Sequence, residues 1–320
     1  MGTNTIGPEL YTWVGLSTET KPREAFTGQL AVETDTNDIY KWFGDLNSGG
    51  WVQIVDAGRI LASTTVTGIT SNYRDDVALG NISGVKSVTK YGRNINVDAT
   101  ATDIWDLGTQ PIWLAPTAAR IHAIVSSSGD DDSATGAGAK TIRIWGLKTW
   151  ATAETSEDIV MDGAVAVNTV NSYVIIHRMT VLTWGANGPN VGIIKATAAS
   201  DSTITSEIIA GAGQTQMAIY GVPSTQTFLM GRLYANMNRA GGATPLCDIK
   251  LLCNDYVDTL TTKYKTKHTF GLSGAGTSAF TITYAVPKVF AGPCILKVQA
   301  FGSTTNLDVS AGFDGTIYTN

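Results

Sequence analysis

The chain has 320 residues, of which 15% are charged and 43% hydrophobic, and its formal net charge is −5. That length supports two or three modest domains with a core in each, and the shortage of Lys and Arg excludes a nucleic-acid partner bound by counterion release. Ser, Thr, Asn and 34 glycines stand where surface charge usually does, which suits faces covered by neighbours, because burying a hydroxyl costs far less than burying a charge.

No apolar run is long enough to cross a bilayer, and Met1–Gly7 lacks the basic and apolar regions of a signal peptide. Synthesis in the cytoplasm, without membrane insertion, is therefore expected. Cys247, Cys253 and Cys294 are too few and too scattered for a disulfide framework or a zinc site, and are expected as buried free thiols.

In chain order, residues 1–20 read as a low-charge extended arm. Residues 21–54 read as a small β-meander: Leu30 and Val32, a polar turn Thr34–Asp38, then Ile39–Trp42, a second turn Gly44–Gly50, then Trp51–Ile54. Three such strands cannot bury a core alone, so the unit is expected to lean on other copies or on a neighbour. Residues 55–86 read as a linker with one short helix around Asn72–Leu79.

From Ser87 onward short β-branched or alternating runs recur between Gly, Pro, Asn and Asp clusters: Val88–Tyr91, Ile95–Val97, Ile121–Ser126, Thr141–Trp145, Tyr173–Ile176, Val191–Lys195 and Met217–Tyr220. Thr227–Leu233, Asp248–Cys253, Phe280–Tyr284, Cys294–Ala300 and Thr316–Tyr318 continue the pattern. The fold class is therefore all-β, with one or two antiparallel sandwiches or jelly rolls over 87–225 and 226–320, the latter being a second domain or a second half. No βαβ alternation points to a nucleotide-binding sheet.

Catalytic chemistry finds little support. His122 and His177 lie in apolar strand text, where packed, hydrogen-bonded histidines are expected. His268 falls in an alternating stretch whose Lys263, Lys265 and Lys267 share one face, the pattern of a protected edge strand or of a strip for an acidic neighbour. Most acidic residues, such as Asp35, Asp38 and Asp45, sit in turns that favour Asp for its own hydrogen bonds. Asp130, Asp131 and Asp132 form the one dense acidic cluster, a solvated loop or a weak calcium candidate without EF-hand spacing. Trp105, Trp113, Trp145, Trp150 and Trp184 read as core and loop packing, with sugar platforms or interface anchors as the alternative. No cofactor, resident metal or enzymatic activity is expected.

Gly28, Leu30, Val32, Glu33, Thr34, Asp35, Thr36, Tyr40, Gly44, Asp45 and Trp51 follow a pattern that resembles the short module near the start of many tailed-phage fibre and tropism proteins. This chain departs from it by inserting Leu46–Gly50 before Trp51. The stretch from Gly92 to Asn320 is similar in order and composition to virion structural proteins of marine and cyanobacterial phages, through GRNINVD, SYVIIHRM, GAGQTQMAIYGVP and STTNLDVSAGFDGTIY. The resemblance implies a homotrimeric virion component assembled in the host cytoplasm, a tail fibre, spike or other tail-associated part. Leu30, Val32, Tyr40, Trp42 and Trp51 would be its attachment and trimerisation residues. Implied partners are other copies, other tail or capsid proteins, and a host surface glycan or receptor. The alternatives are a capsid decoration or head-fibre protein, a fibre-borne polysaccharide depolymerase, and a cellular carbohydrate-binding or surface-layer module.

Overall fold

The computed structural model describes residues 3–6, 11–21, 30–36, 38–43, 49–55, 73–106, 110–238, 244–257 and 263–320. Among these the protein is all-β apart from one short helix, and it divides into two compact units, Met1–Tyr73 and Arg74–Asn320.

The first unit is a five-stranded sheet in the order β1 (Thr3–Ile6), β2 (Tyr11–Gly15), β3 (Leu30–Glu33), β4 (Ile39–Phe43), β5 (Gly50–Val55). The expected meander is present as β3–β4–β5, antiparallel throughout. The stretch expected as an arm carries β1 and β2, and β2 runs parallel to β3 with Val14 opposite Val32.

The helix α1 (Tyr73–Leu79) begins at the last residue of the first unit and continues into the second, and its only buried side chain is Val77. Gly80 closes it at φ +75°, and Asn81 N–H reaches back to the Asp76 carbonyl at 2.8 Å, as a left-handed cap requires.

Two β-sandwiches follow, one inserted in the other. The outer one stacks the sheet β19 (Ala279–Ala291), β16 (Gln226–Asn238), β21 (Leu307–Thr319), β6 (Val85–Val97) on a second sheet. That sheet runs β15 (Ile219–Val222), β20 (Cys294–Gly302), β17 (Leu246–Asn254), β18 (Lys265–Ser273). The core between them includes Phe228, Met230, Leu233, Ile249, Leu251, Val298 and Phe313. The chain leaves this sandwich at β7 (Thr102–Asp103), which pairs with Gln299 and Ala300 of β20. It returns at β15, which pairs with Cys294–Lys297 of the same strand.

Between exit and return lies the inner sandwich. One sheet is β10 (Thr155–Val160), β9 (Ala139–Leu147), β12 (Ile175–Trp184). The other is β11 (Val167–Asn168), β8 (His122–Ser126), β13 (Ile194–Ala198), β14 (Ile204–Ile208). Ile124, Ile142, Ile144, Met179, Ile194 and Ile208 fill its core. A third apolar cluster, with Trp105, Trp113, Leu147, Ile175, Ile219 and Ile295, joins the two sandwiches. Strand pairing therefore crosses residue 225/226, because β6, β7 and β15 complete the C-terminal sheets.

The four longest strands, β6, β16, β19 and β21, have 13 residues each, far beyond the short runs that alternation marks. Glycine explains part of this. A Cβ on Gly92 would sit 2.4 Å from the Ile104 carbonyl oxygen, and one on Gly312 would sit 2.3 Å from that of Lys90. These glycines permit close backbone approach within a continuous strand and do not end it.

Candidate assembly module and buried polar clusters

In the N-terminal unit the inward face of β3 is Ala31 and Glu33, while Leu30 and Val32 are half-buried. Trp42 is buried and meets Trp51 edge to face, with ring centroids 5.4 Å apart. Tyr40 lies under the Lys21 ammonium, 3.9 Å from its ring centroid. The structure thus brings Trp42 and Trp51 together across the β4–β5 pair, and sets Leu30 and Val32 on the opposite face from Glu33. Trp42 Nε1 is buried with no hydrogen-bond partner among the described residues.

The acidic positions of the motif have structural duties. Glu33 pairs with Lys21 and accepts from Thr36 Oγ1 at 2.8 Å. Asp35 accepts from Ser17 N–H at 2.7 Å and from Ser17 Oγ at 2.5 Å, and these bonds hold its carboxyl below the usual range. Together they tie residues 15–21 to the β3–β4 turn. Gly28, Gly44 and Asp45 of the motif, and most of the Leu46–Gly50 insertion, lie outside the described residues.

The three consecutive aspartates do not share a ligand position. Asp131 is fully buried, and its oxygens accept from Ser126 Oγ (2.5 Å) and from the N–H groups of Ala139, Val191 and Gly192 (2.8 Å each). Asp132 caps its own turn by accepting from Ala134 and Thr135 N–H, which lowers its pKa. Asp130 points to solvent. Among the described residues no group of three His, Cys, Asp or Glu side chains is placed to hold a metal ion.

His122 Nδ1–H donates to the Arg120 carbonyl at 2.9 Å, and burial pushes the ring down to about 4. His177 is buried where the two sandwiches meet. Its Nδ1 accepts from Gly221 N–H at 3.4 Å, so Nε2 carries the proton that reaches Glu154 at 3.3 Å. Burial lowers its pKa as well. Lys90, at an inward position of β6, donates to the His177 carbonyl, and burial lowers its ammonium to about 7. His268 lies on β18 beside Phe270 and Tyr284.

Two further clusters escape sequence reasoning, because their members are far apart in the chain. Asp103 and Lys297 form an ion pair that is almost wholly buried, with Trp113 N–H and Gln299 Nε2 completing the carboxylate. The Lys297 ammonium sits 4.2 Å from the Tyr264 ring centroid. A cleft of about 320 Å³ opens there, lined by Trp113, Lys250, Tyr264, Thr266 and Gln299 among others. Elsewhere Asp106 accepts from Gln216 N–H at 2.9 Å. Burial pushes its carboxyl up to about 7, and the neighbouring Glu207 charge adds to the rise. Glu207 is raised by burial too.

The tryptophans divide. Trp105 and Trp113 are core, and Trp113 Nε1 donates to the Thr205 carbonyl at 2.9 Å. Trp145 is flanked by the guanidinium groups of Arg143 and Arg178, at 6.0 and 5.1 Å from its ring centroid. Trp184 is 54% exposed.

No protein family and no curated protein matches the chain. Weakly similar solved structures include two of infectious bursal disease virus. One is the structure of infectious bursal disease virus Gt strain, 9% identical at a TM-score of 0.17 over 74% of this chain and 72% of that one. The other is the crystal structure of the infectious bursal disease virus VP2 subviral particle, 10% identical at a TM-score of 0.16 over 74% and 70%. Neither TM-score marks a shared fold.

Proposed function

We propose that the protein is a virion structural component of a tailed phage. In this reading it works as a homotrimeric, tail-associated fibre or spike part in assembly or host attachment, without catalysis. One observation carries it. In the N-terminal unit, Ala31, Glu33 and Trp42 are the only side chains buried among those described. They lie in the β3–β4–β5 meander, which coincides with the motif that resembles the phage attachment module, and the half-buried Leu30, Val32, Tyr40 and Trp51 of the same strands offer apolar surface to a second copy. The low charge of the whole chain agrees with surfaces that end up covered.

Size-exclusion chromatography with light scattering on the full chain tests this. A stable species of about three times the 33.8 kDa chain mass is expected, and a monomer at micromolar concentration would sink the proposal. Binding to host cells but not to empty heads separates a tail fibre from a capsid decoration protein. The alternative from another class is a fibre-borne polysaccharide depolymerase, which needs one protonated and one ionised carboxyl facing a single groove. It predicts reducing ends released from host polysaccharide, and their absence counts against it.

A further inference from the structure

The two sandwiches carry opposite charge. Residues 122–208 hold nine acidic and five basic side chains, whereas 85–103 with 219–320 hold eleven basic and seven acidic. On each sandwich part of that charge collects at an open edge.

The basic edge is formed by β18 and β19, each hydrogen-bonded to a strand on one side only. They close on each other through Phe270 and Phe280, with centroids 5.3 Å apart, and through Lys288, which donates to the Lys267 carbonyl. Lys263, Lys265, Lys267 and Lys288 line this edge, where Asp255 pairs with Lys265 and also feels the Lys267 charge. Val286 and Val289 of β19 stand 81% and 66% exposed.

The acidic edge is formed by β10 and β11, also paired on one side only. Glu157 ties them by accepting from Val170 and Asn171 N–H. Asp158 and Asp162 face solvent beside Val160, Val165 and Val170, which are 57%, 60% and 85% exposed.

The β18/β19 edge thus carries exposed valines with more Lys than Asp around them, and the β10/β11 edge carries exposed valines with more Asp and Glu than Arg. Isolated apolar residues on a surface are ordinary, but an apolar patch with a charged rim on an otherwise charge-poor chain fits a protein partner. Of the charges already paired, Lys265 and Asp255 are half-exposed and can exchange partners at little cost, whereas Arg143 holds Asp158 through two hydrogen bonds and leaves Asp162 as the open carboxylate of that rim. Pro287 lacks an N–H for a new ladder within β19, and the β16–β19 register shifts beside it. Contact through side chains is therefore favoured over strand addition.

We propose that the β18/β19 edge of one copy docks on the β10/β11 edge of a second copy, valine to valine with Lys against Asp at the rim. The two surfaces differ, so the contact is heterologous, and repetition closes a ring where the rotation allows. The inference rests on the homo-oligomeric reading above and names the surfaces it uses.

The test mixes isotopically heavy and light copies of the full chain and joins touching Lys and Asp or Glu side chains with a zero-length carbodiimide. Heavy–light peptides linking Lys263, Lys265, Lys267 or Lys288 to Glu157, Asp158 or Asp162 are expected. Lys265→Glu with Lys267→Glu should remove them by at least tenfold, and so should Asp158→Lys with Asp162→Lys. All four changes in one chain should restore links between the same positions, which separates lost contact from lost folding. Heavy–light links confined to other surfaces overturn this interface and leave the oligomer standing. A monomer without heavy–light links overturns both.

Discussion

Lys297 Nζ lies 2.6 Å from Asp103 Oδ2, joining two residues 194 positions apart at the place where the chain leaves the outer sandwich. Both side chains are almost fully buried. Removing one partner leaves a charge without a counterion in an apolar setting. Lys297→Met is expected to cost roughly 3–5 kcal/mol in urea unfolding. Lys297→Met with Asp103→Asn should cost less than the two single changes added together, because the amide still accepts from Trp113 N–H.

Asp131 accepts four hydrogen bonds, two that close the 126–139 loop on Ser126 and Ala139 and two that hold it to Val191 and Gly192. Asp131→Ala strands three buried N–H groups, and a loss of at least about 3 kcal/mol is expected, at about 1–3 kcal/mol for each unsatisfied group. Because those donors occupy the carboxylate, calcium and chelator should leave the thermal midpoint of the natural chain unchanged. A rise of several degrees with calcium would restore the metal reading of Asp130–Asp132.

Asp106 gives a pH signature. Its carboxyl is raised from 3.8 to about 7 by burial, so between those values the folded state binds the proton that the unfolded state has lost. Stability from this group is present at low pH and declines as pH rises toward 7. Asp106→Asn lacks that decline. The variant should match the natural protein near pH 4 and exceed it at pH 8 by up to about 4 kcal/mol, at about 1.4 kcal/mol for each pKa unit. Unfolding curves at both pH values check this, and an equal difference at the two would refute it.

Asp35→Ala should leave the outer and inner sandwiches untouched and loosen the N-terminal unit. Ser17 N–H loses its acceptor, and the neighbouring Thr34 N–H, bonded to the Gly15 carbonyl at 2.8 Å, loses support. Hydrogen exchange at both amides should quicken on the order of tenfold, with amides in the β20 core unchanged.

Much of the fold was legible because strands alternate: β8, β9, β17 and β20 all fall where the text alternates or runs β-branched. The helix at Tyr73–Leu79 and the edge position of β18 were legible too. β10 was missed because its Thr-Ser-Glu-Asp start is polar, as suits an edge strand with one buried isoleucine, Ile159. β14 was missed because its inward positions include Ser206 and Glu207. The Asp103–Lys297 and Lys90–His177 contacts left no local trace, since each joins residues that only the tertiary fold brings together.

The inner sandwich is continuous in sequence, whereas the outer one needs β6 near residue 90 and β21 beyond residue 306. A chain emerging from the ribosome therefore completes the inner sandwich while β6 and β7 still wait for partners. β20 comes late in synthesis and receives both β7 and β15 on one edge. Until it arrives β7 has no strand to pair with, and roughly the final hundred residues supply β15 to β21, which the outer sandwich needs.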